Sequence, residues 1–383
     1  MSLIFPGPFL SGASMTETEA RMIELLKELV LIPSTAGNPE HLAQAVDHVR
    51  RYVDTIPGVR VEDYLSDERP SLVAGPVGHD GYFDILLVGH VDVVEAEPEG
   101  FCPRLDGTRL YGRGAGDMKG QVAAIVELFT ETLHLWPRAS LGLMITSDEE
   151  SGGRNGVGYL VNEKGYRAGT AIIPDSGSLN EIVVMEKGIL SGRLVSKGRT
   201  GHSARPWESE NAVHRLLENI GRMIEHFRKY EDGGSQWRHT FSANVLQTKN
   251  LTVNRVPDTA EAIVDIRFTE DMTADDAFAL VKKLLDGQTE FHPEMVAEPV
   301  MTEPDPTFVR LTEQVTGEPV KLIREHGGSD ARFFSRRKIP VIMSRPYVGG
   351  LHSDHEWIDI QSLLTFHQIL AAYLREKFRD ATT

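Results

Sequence analysis

Four apolar runs in this chain end on residues that can ligate a metal or move a proton, and that recurrence limits the fold more than any other feature. Phe83-Asp-Ile-Leu-Leu-Val-Gly runs into His90-Val-Asp92, and Leu141-Gly-Leu-Met-Ile-Thr-Ser runs into Asp148-Glu149-Glu150. Thr170-Ala-Ile-Ile-Pro leads to Asp175, and the run from Ile339 to Gly350 leads to His352. Short apolar runs alternating with helical stretches predict an α/β fold with a largely parallel sheet. In open sheets of that kind ligands bind beyond the carboxyl ends of the strands, so the four runs bring His, Asp and Glu to one rim.

The surrounding pattern supplies the rest of the architecture. Met22, Ile23, Leu25, Leu26, Leu29 and Val30 recur with helical period, and Ile32-Pro33-Ser34 ends that helix. A second amphipathic helix is expected over 43–56. Between Gly188 and Pro299 the order becomes strand, helix, strand, strand, helix, strand, which predicts an inserted ferredoxin-like α+β domain. The expected organisation is a catalytic domain in two parts, 15–187 and 300–383, interrupted by a lid or dimerisation domain over 188–299. Residues 1–14 read as a leader before a native start at Met15.

Composition narrows the partners. Lys and Arg number 40 against 56 Asp and Glu, a formal net charge of −16. Such a surface repels polyphosphate, so neither nucleic acid nor an anionic membrane is expected. No apolar stretch is long enough for a membrane span, and the apolar N-terminus lacks the basic start of a signal peptide. The single cysteine, Cys102, forbids an intrachain disulfide and fits a cytoplasmic protein.

The chemistry gathers on a few positions. Gly112-Arg-Gly-Ala-Gly-Asp117-Met-Lys-Gly120 is a glycine-rich loop entering a helix, free to approach a ligand closely. It lacks the phosphate-loop pattern, and Asp117 would repel phosphate. Adjacent acids in Asp148-Glu149-Glu150 point in different directions, so one can bind metal while its neighbour faces substrate. His90, Asp117, Glu150, Asp175 and His352 form a set of imidazoles and carboxylates without thiolate, suited to zinc, cobalt or manganese. Five ligands exceed the three of an ordinary catalytic zinc site, so two divalent ions are expected with Asp117 as the bridge.

These motifs resemble the zinc metallopeptidase family of acetylornithine deacetylase, succinyl-diaminopimelate desuccinylase, aminoacylase and glutamate carboxypeptidase. Gly89-His-Val-Asp-Val-Val, Gly112-Arg-Gly-Ala-Gly-Asp-Met-Lys-Gly and Asp148-Glu-Glu-Ser-Gly-Gly carry the resemblance. So do Lys197-Gly-Arg-Thr-Gly-His-Ser-Ala-Arg-Pro, Asn254-Arg-Val-Pro, Gly327-Gly-Ser-Asp-Ala-Arg and His352-Ser-Asp-His-Glu. The resemblance implies a metal-dependent hydrolase that cleaves an amide bond of a small carboxylate-bearing substrate. Asp117 would join one ion to His90 and Asp175, and the other to Glu150 and His352. His355 competes with His352, which follows the Gly349-Gly350 turn and has Glu356 four residues on, the pattern of the family these motifs resemble. Asp92 would orient His90, and Glu149 would act as the general base. His202 would reach the partner's site in a homodimer built through the insert, while Arg332 and Asn254 would hold substrate. Asp175-Ser-Gly stands where the deacylases of that family have Glu-Pro-Thr, which favours a dipeptidase or carboxypeptidase as the alternative. A metal-binding scaffold without turnover is the alternative of another class.

Overall fold

The computed structural model describes residues 16–231 and 234–379, and the expected leader over 1–14 lies outside them. Two compact units emerge. The first holds the described residues up to Val184 with Thr302–Ile323 and Ser329 onward; the second holds Met185–Met301 with Arg324–Gly328.

The first unit opens with helix α1, Glu17–Val30, where Thr16 and Glu19 form a reciprocal cap and Met22, Leu25, Leu26, Leu29 and Val30 are buried. Helix α2, Pro39–Val53, starts earlier than the apolar pattern suggests. Asn38 caps it by accepting from the His41 amide, and Pro39 takes the first position, where no amide donor is needed. Strands β1, Val59–Ser66, and β2, Arg69–Pro76, form an antiparallel hairpin that the sequence pattern did not reveal. Its turn residues, Asp67 and Glu68, both take positive φ, a conformation usually signalled by Asn or Gly.

Strand β3, Tyr82–His90, helix α3, Gly120–Leu135, and strands β4, Leu141–Thr146, and β5, Arg167–Ile172, follow. The sheet order is β1-β2-β4-β3-β5, closed by Val341–Ile342. β4, β3, β5 and Val341–Ile342 run parallel, while the hairpin joins antiparallel. Every residue from Gly120 to Phe129 in α3 is buried, as expected of a helix apolar on all sides. The core joins its Val122, Ile125 and Phe129 to Leu25 and Leu29 of α1 and to Leu363, Phe366 and Leu370 of the C-terminal helix Ile360–Phe378.

Register explains the gathering of chemistry. His90 lies level with Thr146 in the parallel pair, so His90–Asp92 and Asp148–Glu150 leave the sheet at one edge. β5 ends at Ile172, level with Leu87, three residues before Asp175. The fourth run departs from expectation: it is not one strand. Only Val341–Ile342 joins the main sheet, and Val348–Gly349 belongs to a separate sheet with Trp357–Asp359 and Arg109–Tyr111. Between them Ser344 donates to the Ser178 carbonyl and Arg345 to the carbonyls of Asp175 and Gly177, side-chain bonds that hold the segment away from a continuous ladder.

The second unit runs β6, Gly188–Lys197; α4, Ala212–Arg228; β7, Thr240–Gln247; β8, Thr259–Phe268; α5, Ala274–Leu284; and β9, Thr289–Ala297. Its antiparallel sheet has the order β7-β8-β6-β9, the ferredoxin-like arrangement. Asn211 caps α4, and Thr273 with Asp276 caps α5. Leu190, Leu194, Leu216, Met223, Val264 and Ile266 are among the side chains that fill the space between helices and sheet. Among the described residues no helix is long and apolar enough to cross a membrane.

Candidate metal centre

Beyond the strand ends of the first unit, His90, Glu149 and Asp175 form one group of potential ligands, and Asp117, Glu150 and His352 form another. Asp117 lies between them: Oδ1 is 3.3 Å from His90 Nε2 and Oδ2 is 3.3 Å from His352 Nε2. Asp175 Oδ1 stands 3.8 Å from His90 Nε2, and Glu150 Oε2 stands 3.4 Å from His352 Nε2.

His90 is poised as a ligand by its own backbone. Nδ1 lies 3.0 Å from the Asp92 carbonyl, which can only accept, so Nδ1 carries the proton and Nε2 presents its lone pair to the centre. Nε2 is buried without a hydrogen-bond partner, as a ligating nitrogen would be before its ion arrives.

The Asp92 side chain reaches the neighbouring strand end. Its two carboxylate oxygens accept from the amides of Glu149 and Glu150, at 3.2 and 3.0 Å, and so fix the direction of both acids. Arg345 holds the Asp175 carbonyl at 2.8 Å. Lys119, wholly buried, donates to the Leu29 and Ile32 carbonyls at the end of α1. Burial lowers its ammonium to about 7 against the pull of Glu356 and Asp92. Arg113 and Glu356 form a buried ion pair beside Asp117, with Nη1 and Oε2 2.6 Å apart. Sequence reasoning used Glu356 only for its spacing and passed over Arg113 and Lys119. A charged side chain inside a glycine-rich loop was the signal available for Arg113.

The electrostatics suit a cation. Burial raises the carboxyls of Glu149, Asp175 and Glu150, the last to about 7, and neighbouring carboxylates add to each rise. Burial would also raise Asp117, yet the His352 and His90 imidazoles hold it far below its usual value. Its hydrogen bond to Asp117 lifts His352 to about 9 despite burial. Divalent cations would favour the charged form of all four acids and take the place of the protons that burial favours. The donor set therefore fits oxygen- and nitrogen-ligated metal.

Three further expected site residues, Arg332 and Asn254 for substrate and His202 for the oxyanion, stand outside these two groups. Arg332, 8% exposed, donates from Nη1 to the Ser329 carbonyl and lies 3.7 Å from Asp330, while Nη2 has no hydrogen-bond partner. His202 and Asn254 are exposed on the second unit. They are neighbours there: the Ser203 amide donates to the Asn254 carbonyl, and His202 pairs with Arg255.

Comparison with known proteins decides the family. The model of peptidase family M20/M25/M40 matches residues 86–376. The chain belongs to that family. A succinyl-diaminopimelate desuccinylase of Alkalilimnicola ehrlichii is 31% identical over 315 residues, 76% of this chain and 82% of the relative. One from Bordetella petrii is 30% identical and covers 90% of this chain and 94% of its own. Among solved structures, an M20 family metallo-carboxypeptidase of Sulfolobus solfataricus superposes with a TM-score of 0.76 at 18% identity, covering 94% of this chain and 99% of that one. Human carnosine dipeptidase 1 gives 0.68 at 18%, covering 94% and 97%; at such identities the likeness is one of fold. As an M20 family member the chain is a metal-dependent amide hydrolase.

Proposed function

We propose that this M20 hydrolase removes an acyl group from a small N-acyl amino acid, using two divalent ions, zinc with cobalt or manganese as substitutes. His90 and Asp175 would hold one ion, Glu150 and His352 the other, and Asp117 both. The observation that carries this reading is the Asp117 carboxylate with one oxygen toward each histidine. Bound ions supply Lewis-acid polarisation of the carbonyl and a more acidic water.

The protein's own groups do the rest. Glu149, raised above the ordinary carboxyl range by burial first and by the Asp175 charge next, accepts the proton of the attacking water and passes it to the leaving amine. Arg332, whose Nη2 makes no hydrogen bond and stands 3.7 Å from Asp330, holds the substrate carboxylate, a planar partner that suits a guanidinium fork. Asn254 contributes a further substrate contact. His202 of a partner subunit stabilises the oxyanion, which requires a homodimer formed through the domain at 188–299. The fully exposed Leu251 and Val253 near Asn254, at 96% and 98%, support a partnered surface there. The cytoplasm is the compartment this reading assigns, on the single cysteine.

Asp175-Ser-Gly supports a second reading, a dipeptidase or carboxypeptidase. Amine release from N-acetyl and N-succinyl amino acids and from dipeptides, with Glu149→Gln as blank, separates the two. Preference for dipeptides would reject the deacylase. Silence on both panels with two ions bound would favour a scaffold without turnover.

A further inference from the structure

Asp117 turns one oxygen toward each histidine, yet it sits on a glycine-rich loop whose own backbone is pliable. Something outside the loop must hold it. Glu356, 3% exposed, lies 239 residues away in sequence from Asp117. Its Oε1 accepts from two consecutive amides, Gly116 at 2.9 Å and Asp117 at 3.0 Å. Oε2 accepts from Arg113 Nη1 at 2.6 Å, and the Glu356 carbonyl accepts from the Gly112 amide at 3.1 Å. Arg113, 4% exposed, also reaches the Glu95 carbonyl at 3.5 Å, on the segment that follows His90 and Asp92.

Three ligand-bearing segments therefore meet at one buried ion pair: the stretch after β3, the Asp117 loop and the turn carrying His352. We propose that Glu356, oriented by Arg113, is a positioning residue that sets the bridging carboxylate of Asp117 for its ions. The inference rests on the two-ion reading. Asp92 offers an internal parallel, because its carboxylate also accepts from two consecutive amides, Glu149 at Oδ1 and Glu150 at Oδ2.

A buried ion pair could instead serve only to hold the fold, and the test must separate the two roles. Glu356→Gln removes one acceptor whichever way the amide turns. Its NH2 must face either the Arg113 donors or the two backbone amides, which are donors as well. Metal-free protein is titrated with zinc in a calorimeter, and the visible absorption of the cobalt-loaded protein is recorded. Expected for Glu356→Gln is a fall of about 10–100-fold in affinity for at least one ion, the range found when groups supporting a ligand are removed. The cobalt spectrum should change with it.

Glu127→Gln is the control. Glu127 is equally buried and paired with Arg21, but it supports no ligand; this variant should lose thermal stability and keep both affinities. If Glu356→Gln behaves like Glu127→Gln, with lower stability but unchanged affinity and spectrum, the positioning role is wrong. Should Glu356→Gln not fold, Arg113→Lys decides. It keeps the charge and frees one prong, and an affinity and cobalt spectrum identical to the parent would overturn the proposal. Parent protein that binds no zinc would defeat the two-ion reading itself, an outcome distinct from either variant result.

Discussion

His90, Glu149 and Asp175 stand where parallel strands leave the main sheet; the side chains of His90 and Asp175 are only 1% and 9% exposed. Asp117, Glu150 and His352 form a looser group that ends in an imidazole 54% exposed, on a residue with φ of +58°. Left-handed backbone costs a non-glycine residue roughly 1–2 kcal/mol, so the His352 turn is held by its surroundings rather than by preference. In the first group His90 takes its geometry from a hydrogen-bonded ladder, with Asp92 and Arg345 holding the Glu149 amide and the Asp175 carbonyl beside it. The second depends on side-chain clamps reaching across the chain. On the two-ion reading, the difference teaches that neighbouring metal positions would differ in rigidity, and the looser one should lose its ion first.

The largest effect should come from Asp117, which faces both histidines. Asp117→Asn leaves an amide with one weak acceptor between the two histidines, so both ions should be bound poorly and turnover should fall by at least about 10³-fold. Metal analysis after dialysis checks it, and two retained ions would contradict the bridging role. Next in size, Glu149→Gln should keep both ions while turnover falls about 10²–10⁴-fold, the usual worth of a general base. Activity within a few fold of the parent would remove Glu149 from that role.

Single-group substitutions sharpen the contrast directly. His352→Ala should retain one ion per chain, because His90 and Asp175 remain in place at the sheet edge with Asp117 beside them. His90→Ala should retain less than one, since its loss leaves a buried cluster of carboxylates with a single exposed imidazole. Equal retention by the two variants would show that the groups do not differ. Stepwise chelation of the parent should mirror this, with half the metal leaving well before the rest.

How much of this was legible in the sequence follows the same division. Strand-borne ligands announce themselves, because an apolar run ending in His or Asp gives both the element and its rim; His90 and Asp175 lie where that pattern placed them. The helices and strands of the second unit were equally readable from periodicity. The His352 segment was not, since an apolar run cannot reveal that Ser344 and Arg345 hydrogen-bond to the 175–178 turn and interrupt the ladder. The β1–β2 hairpin was missed because Asp67 and Glu68 occupy turn positions without the usual residues. The carboxylates of Asp92 and Glu356 each reach a pair of amides far away in the chain, and no local pattern carries such information.

The smallest predicted effect tests whether the His352 turn itself sets the second position. Gly350 has φ of +64°, and a Cβ there would lie 2.3 Å from the His355 carbonyl oxygen, a backbone atom that cannot move cheaply. Gly78 also has positive φ, at +93°, but nothing lies within 4 Å of its Cβ position. Gly78→Ala should therefore cost only the backbone penalty, roughly 1–2 kcal/mol, read as a modest fall in melting temperature with both ions bound as before. Gly350→Ala should add displacement of the turn and weaken the second ion several-fold while the first is unaffected. If both variants bind metal like the parent, the turn is tolerant, and the weakness of the second position comes from the exposure of His352 rather than from its backbone.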